Sequence, residues 1–286
     1  MLSKTLLIVS MGSAFFISSG CSLTPGLRVG YQTEKGEVRY YTGFPATGLL
    51  LKDADPGSFS VISNDFGKDK SHVYNRDEVI EGADPETFEY LGGSFSKDKL
   101  YGYCAQKKVS DDGAHFAIVP NPETKPGVVN LDDWLYARDS KNVFSGNEKL
   151  EGVDVATFKI SPMFGSDHLT SDRNHVYDHN QPIEGADGAS FKKLTVYHFE
   201  DKNHVWVSVM GSTVIWKIMD EADPLTFQGL GKYYAKDKNH VFYENRIVKG
   251  ADIGSFEELE EFATGKDKYG NYKSGVLVPV NKKDSL

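Results

Sequence analysis

The sequence predicts a mainly β protein: an array of about seven repeats of about 29 residues, each a β-hairpin with a further short strand and one helical turn, solenoid-like or propeller-like. Three observations carry that expectation. An Asp recurs at Asp69, Asp98, Asp139, Asp172, Asp201, Asp237 and Asp267, usually inside a K-D-K-N-like string. Five residues after each stands an aromatic: Tyr74, Tyr103, Phe144, Tyr177, Trp206, Phe242 and Tyr272. A second marker, Asp followed four residues later by Phe, begins at Asp55, Asp84, Asp112, Asp154, Asp187, Asp223 and Asp252. From first marker to second the spacing is 15 residues in four units, 14 in the unit of Asp98 and 22 in that of Asp201.

Within one unit the elements follow in order. The string Y-A-K-D-K-N-H-V-F-Y (234–243) sets polar turn formers between runs of aromatic and β-branched residues, a hairpin signal. Asp bonds the backbone two residues on, and Asn tolerates the left-handed conformation of a tight turn. A second polar break follows, such as NRDE (75–78), DHNQ (178–181) or ENR (244–246), and then an apolar residue, Ile80, Ile183 or Val248, as a short third strand. Next come GADPETF (82–88), GADGASF (185–191) and EADPLTF (221–227). Asp as N-cap with Pro at the first helical position describes one helical turn, weakly stapled by Ala and Phe. The Phe and the apolar residue three later (Ile62, Leu91, Leu194, Leu230, Leu259) then share a face.

A single unit has about three large side chains to bury, each contributing about 1.5–3 kcal/mol. Ordering its backbone costs about 1–2 kcal/mol per residue, so one unit cannot stand and copies must stack into a continuous core. Residues 33–59 read as a degenerate first unit.

The strings DKNHV (201–205 and 237–241), DKSHVY (69–74) and DRNHVY (172–177) make the chain resemble the bacterial DKNYY repeat family over nearly its whole length. The resemblance implies a repeat of often exported bacterial proteins with no established activity and no catalytic residues to carry over. Cys104 and residues 107–138 depart from the pattern.

The N-terminal segment has Lys4, an apolar run from Leu6 to Ile17, and Ser18, Ser19 and Gly20 before Cys21. This reads as a signal peptide (1–20) with a run too short for a membrane span of about 20 residues. Ser-Gly-Cys resembles the lipobox of bacterial lipoproteins, in which the cysteine is acylated; Ser18 replaces the usual Leu, and an ordinary cleaved signal before a Cys is the alternative. Ser22, not Asp, points within that resemblance to the outer membrane. The expected organisation is a lipid-anchored tether at 21–30 and the array at 31–286, with an insertion at 117–138.

With Cys21 lipidated, Cys104 has no disulfide partner. Lys4 is the only charge of the signal, so the 32 basic residues become 31 against 41 acidic ones. An acidic chain without basic runs argues against nucleic acid and against electrostatic adhesion to anionic lipid.

Candidates for chemistry each have a plainer reading. His72, His175, His204 and His240 share one slot and could form a metal or pH ladder; as hairpin-corner residues they would not converge. The D-x-N pattern lacks the Gly and the closing Glu of a calcium loop. No G-x-S-x-G, H-E-x-x-H, P-loop or G-x-G-x-x-G is present. Cys104 with His115 is the remaining nucleophile pair, and the recurrent carboxylates offer no particular acid–base couple. The insertion ends in Asp132, Asp133 and Trp134, our candidate binding residues, since insertions in repeat arrays map to one face. In VWVSVMGSTVIWKI (205–218), Trp206 and Trp216 are expected in core or edge packing rather than ligand stacking.

The leading expectation is a non-catalytic envelope lipoprotein, without metal or cofactor, whose array binds an envelope protein or cell-wall component. The alternatives are an envelope hydrolase with insertion-borne residues and a purely structural lipoprotein.

Overall fold

The computed structural model describes residues 28–43, 47–121, 136–160, 169–210 and 214–279. Among them every regular element is a strand, and the strands form eight separate antiparallel meanders. The chain divides into two compact units, one through Val79 and one from Ile80.

The first unit opens with a three-stranded sheet of Arg28–Glu34, Glu37–Gly43 and Leu49–Leu50, the degenerate repeat. Arg28–Gly30, placed in the tether by the sequence reading, already pair with Tyr41–Gly43. A four-stranded sheet around Asp69 follows: Ser60–Val61, Phe66–Lys68, Val73–Asn75 and Glu78–Val79. The second unit holds six more four-stranded sheets, one around each remaining opening Asp. Each repeat thus has four strands rather than two or three, because the residues just after the Phe pair with the strand before the opening Asp, as Lys192↔Glu200 and Gln228↔Lys236 do.

No helix forms among the described residues. The D-x-x-x-F segment is a single hydrogen-bonded turn, closed at 2.9–3.0 Å by Phe158 N–H to Asp154 O, Phe191 N–H to Asp187 O and Phe256 N–H to Asp252 O. Helix nucleation is costly, and the chain enters a strand at the next residue, so the turn does not propagate. The second hairpin turn holds its first residue at positive φ: Arg76, Ala105, Gly146, His179, Glu244 and Ser274. In the unit of Asp201 this turn is replaced by a longer hairpin, Val205–Met210 paired with Val214–Ile218.

Packing between sheets runs through aromatics. The residue three before each opening Asp starts the second strand, and Phe66, Phe95, Tyr136, Leu169, His198 and Tyr234 there are all buried. In the second unit Phe116, Phe158, Phe227 and Phe256 of D-x-x-x-F each sit between that residue of the preceding sheet and the aromatic after their own Asp. Tyr136, Phe158 and Tyr177 make one such series, with ring centroids 5.5 and 6.4 Å apart; Tyr234, Phe256 and Tyr272 make another, at 5.2 and 5.3 Å. Such tilted aromatic pairs add about 0.5–1.5 kcal/mol each to the burial itself.

Under each Phe ring the second strand needs a small residue. Gly67, Ser96, Ala137, Thr170, Ala235 and Gly265 occupy the position two before the opening Asp. A Cβ at Gly265 would come within 2.6 Å of Phe256, and one at Gly67 within 2.5 Å of Phe59. Phe199 breaks this rule, and Phe191 is displaced. It stacks on Phe199 at 5.6 Å and 19° and stays half-buried.

Phe158→Ala should therefore cost about 3–5 kcal/mol in urea unfolding, the range for a buried Phe. Phe191→Ala should cost measurably less. Hydrogen exchange should rise at residues 136–182 after Phe158→Ala, and equal losses for the two variants would contradict the packing described.

Candidate binding groove

The recurrent polar residues of the repeat are bonded to one another. Asp172 shows the arrangement: Oδ1 accepts the backbone N–H of Asn174 at 2.7 Å and of His175 at 2.8 Å. Its Oδ2 accepts the N–H of Asp154 at 2.8 Å and the hydroxyl of Tyr177 at 2.9 Å. Asp69, Asp98, Asp201 and Asp267 accept the same four kinds of donor, with the Trp206 indole N–H replacing a hydroxyl on Asp201.

The turn Asp of the second marker completes the module. Its carboxylate faces the Lys or Arg after the opening Asp, as in Lys70–Asp55 (3.0 Å), Lys99–Asp84 (3.0 Å), Arg173–Asp154 (2.5 Å), Lys202–Asp187 (2.6 Å) and Lys268–Asp252 (2.7 Å). The Ser or Thr three residues on accepts that basic residue's N–H. The two sequence markers are one hydrogen-bonded unit, joined to the hairpin that follows the Phe.

Burial alone would raise the carboxyls of Asp69, Asp98, Asp139, Asp172, Asp201 and Asp267, but the backbone and side-chain donors outweigh it and hold each below the usual carboxylate range. Burial, followed by the bond to Asp, pushes the hydroxyls of Tyr74, Tyr103 and Tyr177 up, and that of Tyr272 to about 12.

The four slot histidines stand each on its own aromatic, with ring centroids 5.7–6.1 Å apart. His72, His175 and His204 have Nδ1 3.7–3.8 Å from their own Asp. Among the described residues no group of three or more His, Cys, Asp or Glu could hold a metal ion. Cys104 ends a strand, half-buried, and burial raises its thiol, the opposite of what a nucleophile needs. His115 Nδ1 pairs with Asp112 at 2.7 Å. Asp132, Asp133 and Trp134, like Cys21, lie outside the described residues. The flanks of that insertion are paired strands, Ala117↔Arg138 and Ile118↔Ala137.

A groove that the sequence reading did not single out lies between the sheets of Asp172 and Asp201. Its volume is about 610 Å3, and its walls are Trp206, Trp216, Val214, Pro182 and Ile183, with Asp178, His179, Gln181 and Glu184. Trp206 is buried, and Trp216 is half-buried with its indole N–H donating to Asp178 Oδ2 at 2.8 Å. His179 Nδ1 is 2.6 Å from the other oxygen of Asp178. Beside the groove runs the edge strand Val214–Ile218, with Val214, Ile215 and Ile218 37–48 % exposed. The sign of this feature in the sequence was the spacing of 22 residues from Asp201 to Asp223, which contains VIWKI (214–218).

On the other side of the same sheet His198 is fully buried. It accepts from Thr195 Oγ1 at Nδ1 (2.8 Å) and donates from Nε2 to Glu244 O (2.6 Å), since a carbonyl can only accept. Burial lowers its pKa to about 4.

Two outcomes follow from this chemistry. Asp172→Ala leaves the buried Tyr177 hydroxyl and three part-buried backbone N–H groups without their acceptor and should cost about 3 kcal/mol or more, read as a urea midpoint; a loss under about 0.5 kcal/mol would refute the role. For His198 the folded pKa lies below the unfolded value, so its neutral form stabilises fully above about pH 6.5, and this is lost as pH falls toward about 4. Lowering the pH from 7 to 5 should remove on the order of 2 kcal/mol through this group. His198→Phe, which installs the residue found at positions 66 and 95, should flatten the pH dependence between 4.5 and 6.5.

No curated protein and no solved structure matches this chain. The model of the DKNYY family matches residues 31–181 and 211–284. The unmatched stretch between them holds His198, Phe199, Trp206 and the first arm of the long hairpin, although Asp201 keeps its full set of bonds. With most of its length covered by that match, the chain belongs to the DKNYY family.

Proposed function

We propose that this DKNYY protein is a non-catalytic lipoprotein of the bacterial envelope, held in the outer membrane by acyl chains on Cys21, whose array binds an envelope protein or cell-wall component. The observation that carries the reading is where polar and apolar groups end up. The side chains that recur in every repeat are occupied in building it, while the departure at Val214–Ile218 leaves apolar surface beside a groove. Exposed apolar strands on a soluble array are a liability unless something covers them. Attachment rests on the Ser-Ser-Gly-Cys sequence.

The membrane part is tested by Cys21→Ala, which should move the protein from the membrane to the soluble fraction; a mature N-terminus other than lipidated Cys21, found by mass spectrometry, would overturn it. The binding part is tested by affinity capture from envelope extracts. A stoichiometric partner should be retained by the intact chain and lost when the hairpin 208–216 is shortened to a two-residue turn or when 122–135 is deleted. Retention by both shortened forms would place binding elsewhere and remove this reading's support.

A further inference from the structure

We infer that Val214–Ile218 is a docking strand for an extended, basic peptide segment, which pairs along its free edge and places a lysine or arginine in the groove walled by Trp206 and Trp216. This rests on the binding reading above and names the chemistry of the partner.

Strand length is the first support. The fourth strands of the other four-stranded sheets run two to four residues, whereas this one has five and terminates its sheet. The seven extra residues of the Asp201 unit, a spacing of 22 against 15, are absorbed by its hairpin. Edge pairing by an added peptide draws affinity from the backbone and specificity from alternate side chains.

Register is the second. Trp206 stands opposite Ile218 and Ser208 opposite Trp216, so Val214, Trp216 and Ile218 share the face that looks on the groove, while Ile215 and Lys217 share the other. A fifth strand would project every second side chain over the groove.

Charge is the third. The groove lining includes Asp178 and Glu184 and no Lys or Arg, and beyond the strand Asp220 and Glu221 are exposed. Asp178 is engaged in fixing the Trp216 indole, whereas Glu184 has no side-chain partner among the described residues. Indole faces with carboxylates around them suit a cation in a partly desolvated site. Lys217, the only base on the strand, lies on the opposite face. Self-pairing of two copies would bring one acidic groove and one acidic chain, of net charge −9, against another, which disfavours a second copy as the occupant.

The test uses the full-length chain and three blocked nine-residue peptides: one alternating valine with lysine, its glutamate counterpart, and the lysine peptide N-methylated at alternate amides. Titration calorimetry and tryptophan fluorescence should show saturable binding of the lysine peptide, weakened at least about tenfold by glutamate or by N-methylation. Glu184→Lys should lower affinity for the lysine peptide about tenfold with an unchanged melting midpoint. Equal affinity for the lysine and glutamate peptides, or indifference to N-methylation, would overturn the inference. So would a response to a chitin oligosaccharide in place of peptide, or a concentration-dependent dimer that shields the strand. Failure of every peptide while envelope capture still yields a partner lost with the hairpin removes this inference alone; failure of both removes the binding reading as well.

Discussion

The structure depends on one buried carboxylate per repeat. Six of the seven opening Asp residues are 6 % exposed or less and Asp267 is half-buried, and the two oxygens gather donors from the turn the residue opens, from the turn of the preceding Phe marker in most units and, in most units, from the aromatic five residues on. A buried carboxylate without partners would be strongly disfavoured, and one with several N–H and O–H donors locks segments that are otherwise too short to hold themselves. Strands of two or three residues exist here because both of their turns are tied to the same anion. The Lys–Asp pairs over this module are largely exposed, and pairs of that kind contribute about 0–1 kcal/mol each.

The unit of Asp237 does without the donor that Phe242 lacks, whereas the unit of Asp139 replaces it. Phe144 has no hydroxyl, and the unit of Asp139 has Ser110 instead, whose Oγ–H donates to Asp139 Oδ2 at 2.6 Å while accepting the N–H of Asp112 at 3.0 Å. Asp112, in turn, accepts both the N–H and the Oγ–H of Ser140, and the bond from the Ser140 hydroxyl, followed by that to His115, holds its carboxyl down at about 2. The stretch that departs from the repeat pattern in sequence keeps the link between the two Asp residues through different atoms. Because the module closes through side chains, the segment between its two Asp residues varies from 14 to 27 residues without disturbing it. That is where the insertion after Phe116 lies.

Much of this was legible in the sequence. Seven Asp-to-aromatic spacings gave the turns, the buried rings and the repeat, and the first degenerate unit was correctly a sheet. The fourth strand was not legible, since two-residue strands such as Lys192–Lys193 carry no periodicity. The single turn of the D-x-x-x-F segment was legible too: Asp, Pro and Thr specify its first bonds, and nothing after the Phe supports a second turn. Phe191 was equated with its counterparts because the residues two before each opening Asp, which are Gly, Ser, Ala or Thr elsewhere, share no single identity that marks them in sequence, and only the packing of Phe256 on Gly265 exposes the rule that Phe199 breaks. The groove was missed for a related reason. Trp206 and Trp216 were placed in packing, which they do provide, while the exposure of Val214, Ile215 and Ile218 depends on where the hairpin ends relative to the next sheet.

The repeat also explains why novelty can concentrate in one unit. Stacked units couple mainly to their neighbours, so a change that keeps the Asp module and the inter-sheet ring contacts costs stability only locally. The Asp201 unit keeps both: Trp206 donates to Asp201, and His198 packs on Phe227 at 5.5 Å while its Nε2–H reaches Glu244 O in the next sheet. Within those limits it accepts a displaced Phe191, a histidine in an aromatic slot and a lengthened apolar edge. A natural sheet normally blunts such an edge with short strands or charge, as the strands Glu148–Leu150 and Arg246–Ile247 do in their own sheets. This edge is retained in the unit that the family model leaves partly unmatched, where the scaffold tolerates it with the smallest cost to its neighbours.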